Sequence, residues 1–216
     1  MFINIIKSIS RGKSLLRTLM NLELRNHALR GSVIDVGGGR DPSYFGFLKK
    51  ENGAKVFTID GIFTDKEGKN IDFEKDALPF NDGEFDQAIL CNVLEHIYNY
   101  KFLLLEIKRI IKNGGEVIGF VPFLINYHPD PHDYFRYTKE SLQNIFTEAG
   151  FEEIEIKEVG LGPFSAAFNA IAGLPFPRFC KVLALPFFYF SDLLVLKFRP
   201  GLKIRYPLGY LFTLKK

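Results

Sequence analysis

Tryptophan is absent from this 216-residue chain, and cysteine and methionine occur only twice each. The two cysteines, Cys91 and Cys180, form neither a CxxC pair nor a disulfide framework, which argues against structural zinc. Their scarcity fits a reducing compartment, and a cytoplasmic location is expected. An excess of one charge is also lacking. Lys and Arg number 28 against 25 Asp and Glu, a net of +3 with no long basic run. No nucleic-acid partner is expected, since that function calls for a strongly positive face. No secretory signal is legible, because Phe2, Ile3, Ile5 and Ile6 precede the first cation, Lys7, and no small-residue cleavage site follows. Unbroken apolar runs of about 20 residues, the length of a spanning helix, are missing as well. The nearest candidate, 161–196, is interrupted by Gly162, Pro163, Gly173, Pro175, Pro177 and Pro186.

What is present reads as one globular domain: 47% hydrophobic and 25% charged residues over a length that can bury a core. Apolar runs and turn signals alternate. Ser32–Val36 reads as a buried strand ended by Gly37, Gly38 and Gly39. Residues 43–52 suit a helix, 56–59 a strand, 61–70 a polar loop and 71–73 a brief further strand. Phe85–Cys91 reads as the next strand. A helix over 99–112 follows, with Leu103, Leu104, Ile107, Ile110 and Ile111 on one face. A strand at 116–121 stops at Pro122. Thr138 is placed to cap a helix bearing Leu142, Ile145, Phe146 and Ala149, and Ile154 and Ile156 alternate with charge in a later strand. Strands alternating with helices imply an α/β fold, a parallel sheet covered on both faces. Ligands bind such a sheet beyond the carboxyl ends of its strands, here near Asp35, Asp60, 91–96 and the residues after Pro122.

The glycine turn is the first chemical signal. Three consecutive glycines let a ligand press on bare backbone amides. The dinucleotide pattern GxGxxG is not met, because Pro42 stands at its third glycine position, and a nicotinamide oxidoreductase is disfavoured. Asp35, just before the turn, suits a ligand carrying an ammonium group. Asp60, at the end of the second strand, can accept from two ribose hydroxyls.

These residues occur in a recognisable order. The segment Val-Ile-Asp-Val-Gly-Gly-Gly ending at Gly39, then Asp60, then Asp76-Ala-Leu-Pro-Phe80, then Phe85 through Leu94-Glu95-His96, resembles the class I S-adenosylmethionine-dependent methyltransferases. The likeness is to their small-molecule branch, with its LPF…FD…LEH signature, and it extends over about 31–160 through Glu106–Gly115 and His132–Thr138. It implies a Rossmann-like doubly wound, mostly parallel seven-stranded sheet with helices on both faces. It also implies S-adenosyl-L-methionine as cofactor and methyl transfer to a small-molecule acceptor such as a sugar, lipid-linked or aromatic hydroxyl. The resemblance further implies that Asp35, Gly37, Gly38 and Gly39 would meet the methionine part, Asp60 the ribose, Asp76 and Ala77 the adenine, and Asn92 the sulfonium and substrate. Gly38 departs from relatives carrying Cys or Ser there, which should matter little if backbone makes the contacts.

A hydroxyl acceptor needs a base, and imidazole titrates near neutrality. His96 follows the fourth strand; His128 and His132 lie in the proline-spaced loop after the fifth, with Asp133 placed to orient an imidazole. Tyr134 and Arg136 are the substrate-side candidates, Arg136 either holding an anionic group or pairing with Asp133. His128, Asp130, His132 and Asp133 are also ligand types at close spacing, but the resemblance requires no metal and none is expected. Outside the core, 1–30 reads as an N-terminal helical cap and 206–216 as the final strand. Between 160 and 206 lies a Phe-rich insertion, in two apolar runs. It is read as a lid, a homodimer face or a segment lying peripherally on a membrane. The competing reading for the whole chain is a non-catalytic cofactor-binding scaffold docked through 161–205.

Overall fold

Alternate residues of the central strands belong to two different cores, and this places every other element. In the computed structural model, which describes residues 1–39, 42–60 and 71–216, β5 (Phe85–Cys91) sends Ala88 and Leu90 to one face and Ile89 and Cys91 to the other. The same alternation holds in β2 (Ser32–Val36) and β6 (Ile111–Pro122). With β4 (Lys55–Ile59), β7 (Glu153–Val159) and β8 (Gly209–Lys215) they form one sheet in the order β4-β2-β5-β6-β8-β7. β4, β2, β5 and β6 pair in parallel, and β8 inserts antiparallel between β6 and β7. The sheet is thus mostly parallel and apolar on both sides, as helices on both faces require.

Helices α3 (Tyr100–Ile110) and α4 (Lys139–Glu148) cover the first face, through Leu103, Leu104, Ile107, Leu142 and Phe146. Thr138 caps α4 as its sequence predicts, its side chain accepting from the Ser141 amide at 3.2 Å. The second face is closed by α1 (Phe2–Ser10), α2 (Leu15–Leu24), α5 (Pro163–Ala172) and α6 (Arg178–Phe198), with Ile5, Leu19, Met20, Phe168 and Leu185 buried there. The N-terminal cap is therefore two helices, and it shares one sheet face with the Phe-rich insertion.

Four expectations need correction. Among the described residues the sheet has six strands, not seven. The position expected for the missing strand, 71–73, buries Ile71 and Phe73, but the Asp72 carboxylate accepts from the Glu74 amide and its carbonyl accepts from the amides of Lys75 and Asp76. Local bonding there replaces a ladder. Residues 43–48 form turns rather than a helix, since Gly46 disfavours one, and the chain then enters β3 (Lys49–Lys50), paired with β1 (Ala28–Leu29). The helix α6 runs unbroken through Pro186, because Val182, Leu185, Phe188 and Tyr189 pack both halves on the sheet core despite one lost backbone bond. A short α7 (Leu202–Arg205) leads to β8. The loop expected at 61–70, with Arg40 and Asp41, lies outside the described residues.

Candidate active site

A cavity of about 720 Å³ opens at the carboxyl ends of the parallel strands, within the size range of small-ligand sites. Gly37 and Asp60 line it after β2 and β4, the 71–76 turn forms one wall, and Asn92, His96, His132 and Tyr134 form the opposite side. Topology alone assembles this group, because parallel strands deliver their ends to one edge.

Beneath the glycine turn lies Asp35, fully buried. Its Oδ1 accepts from the Tyr44 hydroxyl at 2.7 Å, while Oδ2 has no hydrogen-bond partner among the described residues. Burial raises its pKa to about 7 against the Tyr44 bond, with the Asp60 charge adding to the rise. Gly38 explains how the carboxylate fits. A Cβ there would stand 1.8 Å from Asp35 Oδ2 and 2.6 Å from the Tyr44 oxygen. In the packing seen here, the bare Cα at 38 leaves room for the Asp35 carboxylate and the Tyr44 hydroxyl. Gly37 adopts φ 77°, a region that favours glycine. An orphaned buried carboxylate oxygen and a bare-backbone cradle together fit a ligand bearing an ammonium group. Asp35, Gly38 and Gly39 are not among the residues that line the described cavity.

Asp76 lines the cavity and its Oδ2 accepts from the Asp72 amide at 3.0 Å, so it also ties its own turn. Ala77 is not part of the wall. The turn is fixed from α3, a role that sequence reasoning missed. The Arg109 guanidinium donates to the carbonyls of Leu78 and Phe80 and to Glu106, whose carboxylate accepts from the Leu78 amide. Arg109 is thus a clamp on the Leu-Pro-Phe segment. Asn92 adopts φ 56° and its amide donates to the Phe120 carbonyl, locking the bend beyond β5.

The Leu94–His96 turn and the loop after β6 interlock. The Glu95 carbonyl accepts from the Tyr134 amide at 2.8 Å, the Leu94 carbonyl from the Tyr137 hydroxyl at 3.1 Å, and His96 Nδ1 lies 2.5 Å from the His132 carbonyl. A carbonyl only accepts, so that contact puts a proton on His96 Nδ1 and makes His96 a brace for the loop. Glu95 is wholly buried with both carboxylate oxygens unpartnered among the described residues. Burial lifts its pKa to about 8. Its Oε1 stands 3.7 Å from His96 Nε2, beyond hydrogen-bond length.

Asp133 and Arg136 pair with each other, as one of the two readings of Arg136 held. Arg136 donates through both Nη atoms to the two Asp133 oxygens, at 2.5 and 2.6 Å, and Asp133 also accepts from the His128 amide at 2.9 Å. The guanidinium holds the carboxyl down at about 2. Neither side chain lines the cavity, nor does His128; His132 and Tyr134 do, their rings 5.2 Å apart. The pair therefore shapes the loop that presents His132. Replacing the fork by a point charge in Arg136→Lys should cost about 1–3 kcal/mol of stability, measured by urea unfolding, because bidentate bonds are lost.

The four ligand types read from the loop spacing do not converge as a set, since Asp133 is committed to Arg136 and the Asp130 amide turns back to the His132 carbonyl at 3.3 Å. Donor atoms of Glu95, His96 and His128 instead lie within 4.8 Å of one another. The Arg136 guanidinium, 3.4 Å from His128 Nδ1, opposes a cation there. None of residues 161–205 is among those that line the described cavity.

Residues 10–156 match a family model described as a methyltransferase domain. Two uncharacterized proteins of Methanocaldococcus jannaschii are related. One is 37% identical over 94 residues, 41% of this chain and 42% of the relative; the other is 54% identical over 44 residues, 20% and 19% of the two lengths. The matches thus span less than half of either relative. Among solved structures, a SAM-dependent methyltransferase from Archaeoglobus fulgidus superposes with TM-score 0.57 at 17% identity, covering 100% of both chains. Phosphoethanolamine N-methyltransferase 2 of Haemonchus contortus, in complex with S-adenosyl-L-methionine, gives 0.52 at 16% identity over 91% of this chain and 52% of its own. At such identities the superpositions speak for the fold alone.

Proposed function

The chain belongs to the methyltransferase-domain family, and from that premise we propose that it uses S-adenosyl-L-methionine to methylate a hydroxyl of a small-molecule acceptor. The observation that carries this reading is one cavity lined by Gly37, Asp60, Asp76, Asn92, His96 and His132 together. When bound, the cofactor supplies a methyl group already activated on a sulfonium. The protein's task is then alignment and water exclusion, and orientation can supply roughly 7–11 kcal/mol at best. Asp35, with the backbone of Gly37, Gly38 and Gly39, would hold the methionine end, Asp60 the ribose and the Asp76 turn the adenine. Asn92 would border the transfer point.

His132 is the group we assign as base, taking the acceptor hydroxyl's proton on a ring nitrogen. It lines the cavity on a loop held by the Asp133–Arg136 fork and by His96. Tyr134, on the same wall, would flank the acceptor. His96 and Asp133 are positioning residues in this scheme, and His128 packs edge-on to His96 at 5.2 Å.

Two measurements test it. Calorimetric titration should show S-adenosylmethionine and S-adenosylhomocysteine binding, lost in Asp60→Ala. A labelled-methyl assay over sugar, phenolic and lipid-linked alcohols should show turnover, which His132→Asn lowers by about 10²–10⁴ in kcat with cofactor affinity unchanged. Binding without turnover on any acceptor would favour the scaffold reading. Unchanged kcat in His132→Asn would remove the base.

A further inference from the structure

The largest unexplained surface is the outer face of the insertion. Along α6, Phe179, Leu183, Phe187, Phe190, Leu194 and Phe198 recur at steps of three and four and are all exposed, Leu183 by 73% and Phe187 by 68%. The stripe runs the length of a 21-residue helix, about 30 Å. Soluble monomers seldom expose a contiguous apolar face of that extent.

Charge identifies its partner. Residues 161–206 carry six cations, Arg178, Lys181, Lys197, Arg199, Lys203 and Arg205, and one acid, Asp192. That acid is buried, its oxygens accepting from the amides of Phe164 and Ser165 at the start of α5. Within this segment the charge left to solvent is therefore positive, with Glu158 of β7 facing Lys203 at its end. The neighbouring α1 adds to it: the Phe2 ring packs at a tilt against Tyr189 and Phe190, Ile3 is exposed, and no acid occurs before Glu23.

We propose that this face docks the protein on an anionic lipid bilayer, with α6 lying in the interface. Apolar rings would sit at the acyl boundary while the cations meet lipid phosphates. A second copy of the chain fits less well, because a two-fold contact sets the same cations against each other. Spanning fits less well too. Leu185 and Asp192 are buried on the opposite side of α6, where α5 and α1 pack against it.

Co-sedimentation of the full chain with phosphatidylcholine vesicles, with and without phosphatidylglycerol, tests this. Binding should be strong only with the anionic lipid and should weaken in high salt. Leu183→Glu/Phe187→Glu/Leu194→Glu and, separately, Lys197→Glu/Arg199→Glu/Lys203→Glu should each lower vesicle affinity by about tenfold or more. Circular dichroism and cofactor titration should be unchanged in both. Alkaline carbonate should strip the bound protein. Indifference to anionic lipid overturns the proposal, as does retention of binding in both triple variants. Resistance to carbonate overturns the interfacial geometry, and a lipid-free dimer that the apolar triple variant dissociates assigns the face to a second copy.

Discussion

Ligand-free protein should unfold at markedly lower urea concentration at pH 8.5 than at pH 5. Two buried carboxyls set this direction: Asp35, raised by burial to about 7, and Glu95, raised to about 8. Each stays protonated in the folded chain where the unfolded chain has already ionised it. Folding then takes up protons, so stability is full below the ordinary carboxylate range and falls as pH rises through 7 for Asp35 and 8 for Glu95. Ionising either group in place sets on the order of 4 kcal/mol against the fold. Asp133 works oppositely. Its pKa of about 2 stabilises above the ordinary carboxylate range and is lost only as pH falls toward 2, so it offsets nothing in the window tested. The double variant Asp35→Asn/Glu95→Gln keeps the shapes, removes both ionisations and should flatten the profile. A wild-type midpoint constant from pH 5 to 8.5 would show that neither carboxyl is held as described. Such a burden kept beside the cavity is what a bound cationic group would relieve, and sites commonly carry strain of this kind.

The second large effect is at Gly38. Ala there places a methyl group 1.8 Å from Asp35 Oδ2 and 2.6 Å from the Tyr44 hydroxyl, so the carboxylate must turn away and its bond to Tyr44 must break. Overpacking of this sort costs about 1–3 kcal/mol, visible as a lowered urea midpoint. Cofactor affinity, read by calorimetry, should fall at least about tenfold through the disturbed turn, the equivalent of about 1.4 kcal/mol. Gly46→Ala is the control, since a Cβ at Gly46 meets nothing within 4 Å. Adding Asp35→Ala to Gly38→Ala should restore much of the stability but not the affinity. A Gly38→Ala protein as stable and as avid as wild type would mean the cradle is not shaped by this contact.

Several elements were legible because one local signal sufficed. The strand Phe85–Cys91, the capped helix after Thr138 and the apolar face of α3 all stand where residue pattern puts them. The elements that moved are those where a distant partner decided. Residues 43–48 lost their helix when the chain turned to pair Lys49 and Lys50 with Ala28 and Leu29. Pro186 did not interrupt α6, because a packed face outweighed one missing bond. Asp60 and Asn92, which line the cavity, were legible from their places beyond strand ends. Tyr44, Glu95 and Arg109 were not, since nothing in their neighbouring sequence announces a buried hydrogen bond, an orphaned carboxylate or a clamp.

By itself, the sequence determined the α/β alternation, the strand ends at which ligand chemistry gathers, and the family likeness. All of these rest on periodicity and turn chemistry within short windows. The tertiary structure alone decided what each polar side chain does once placed. It spent Asp133 on Arg136, fixed His96 as a brace, left His132 on the cavity wall and gave Asp192 to the start of α5. It also put the Phe-rich insertion on the sheet face opposite α3 and α4, with its apolar stripe outward. The physical reason is that a hydrogen bond or a buried charge depends on neighbours brought from far along the chain, and local pattern carries no record of them.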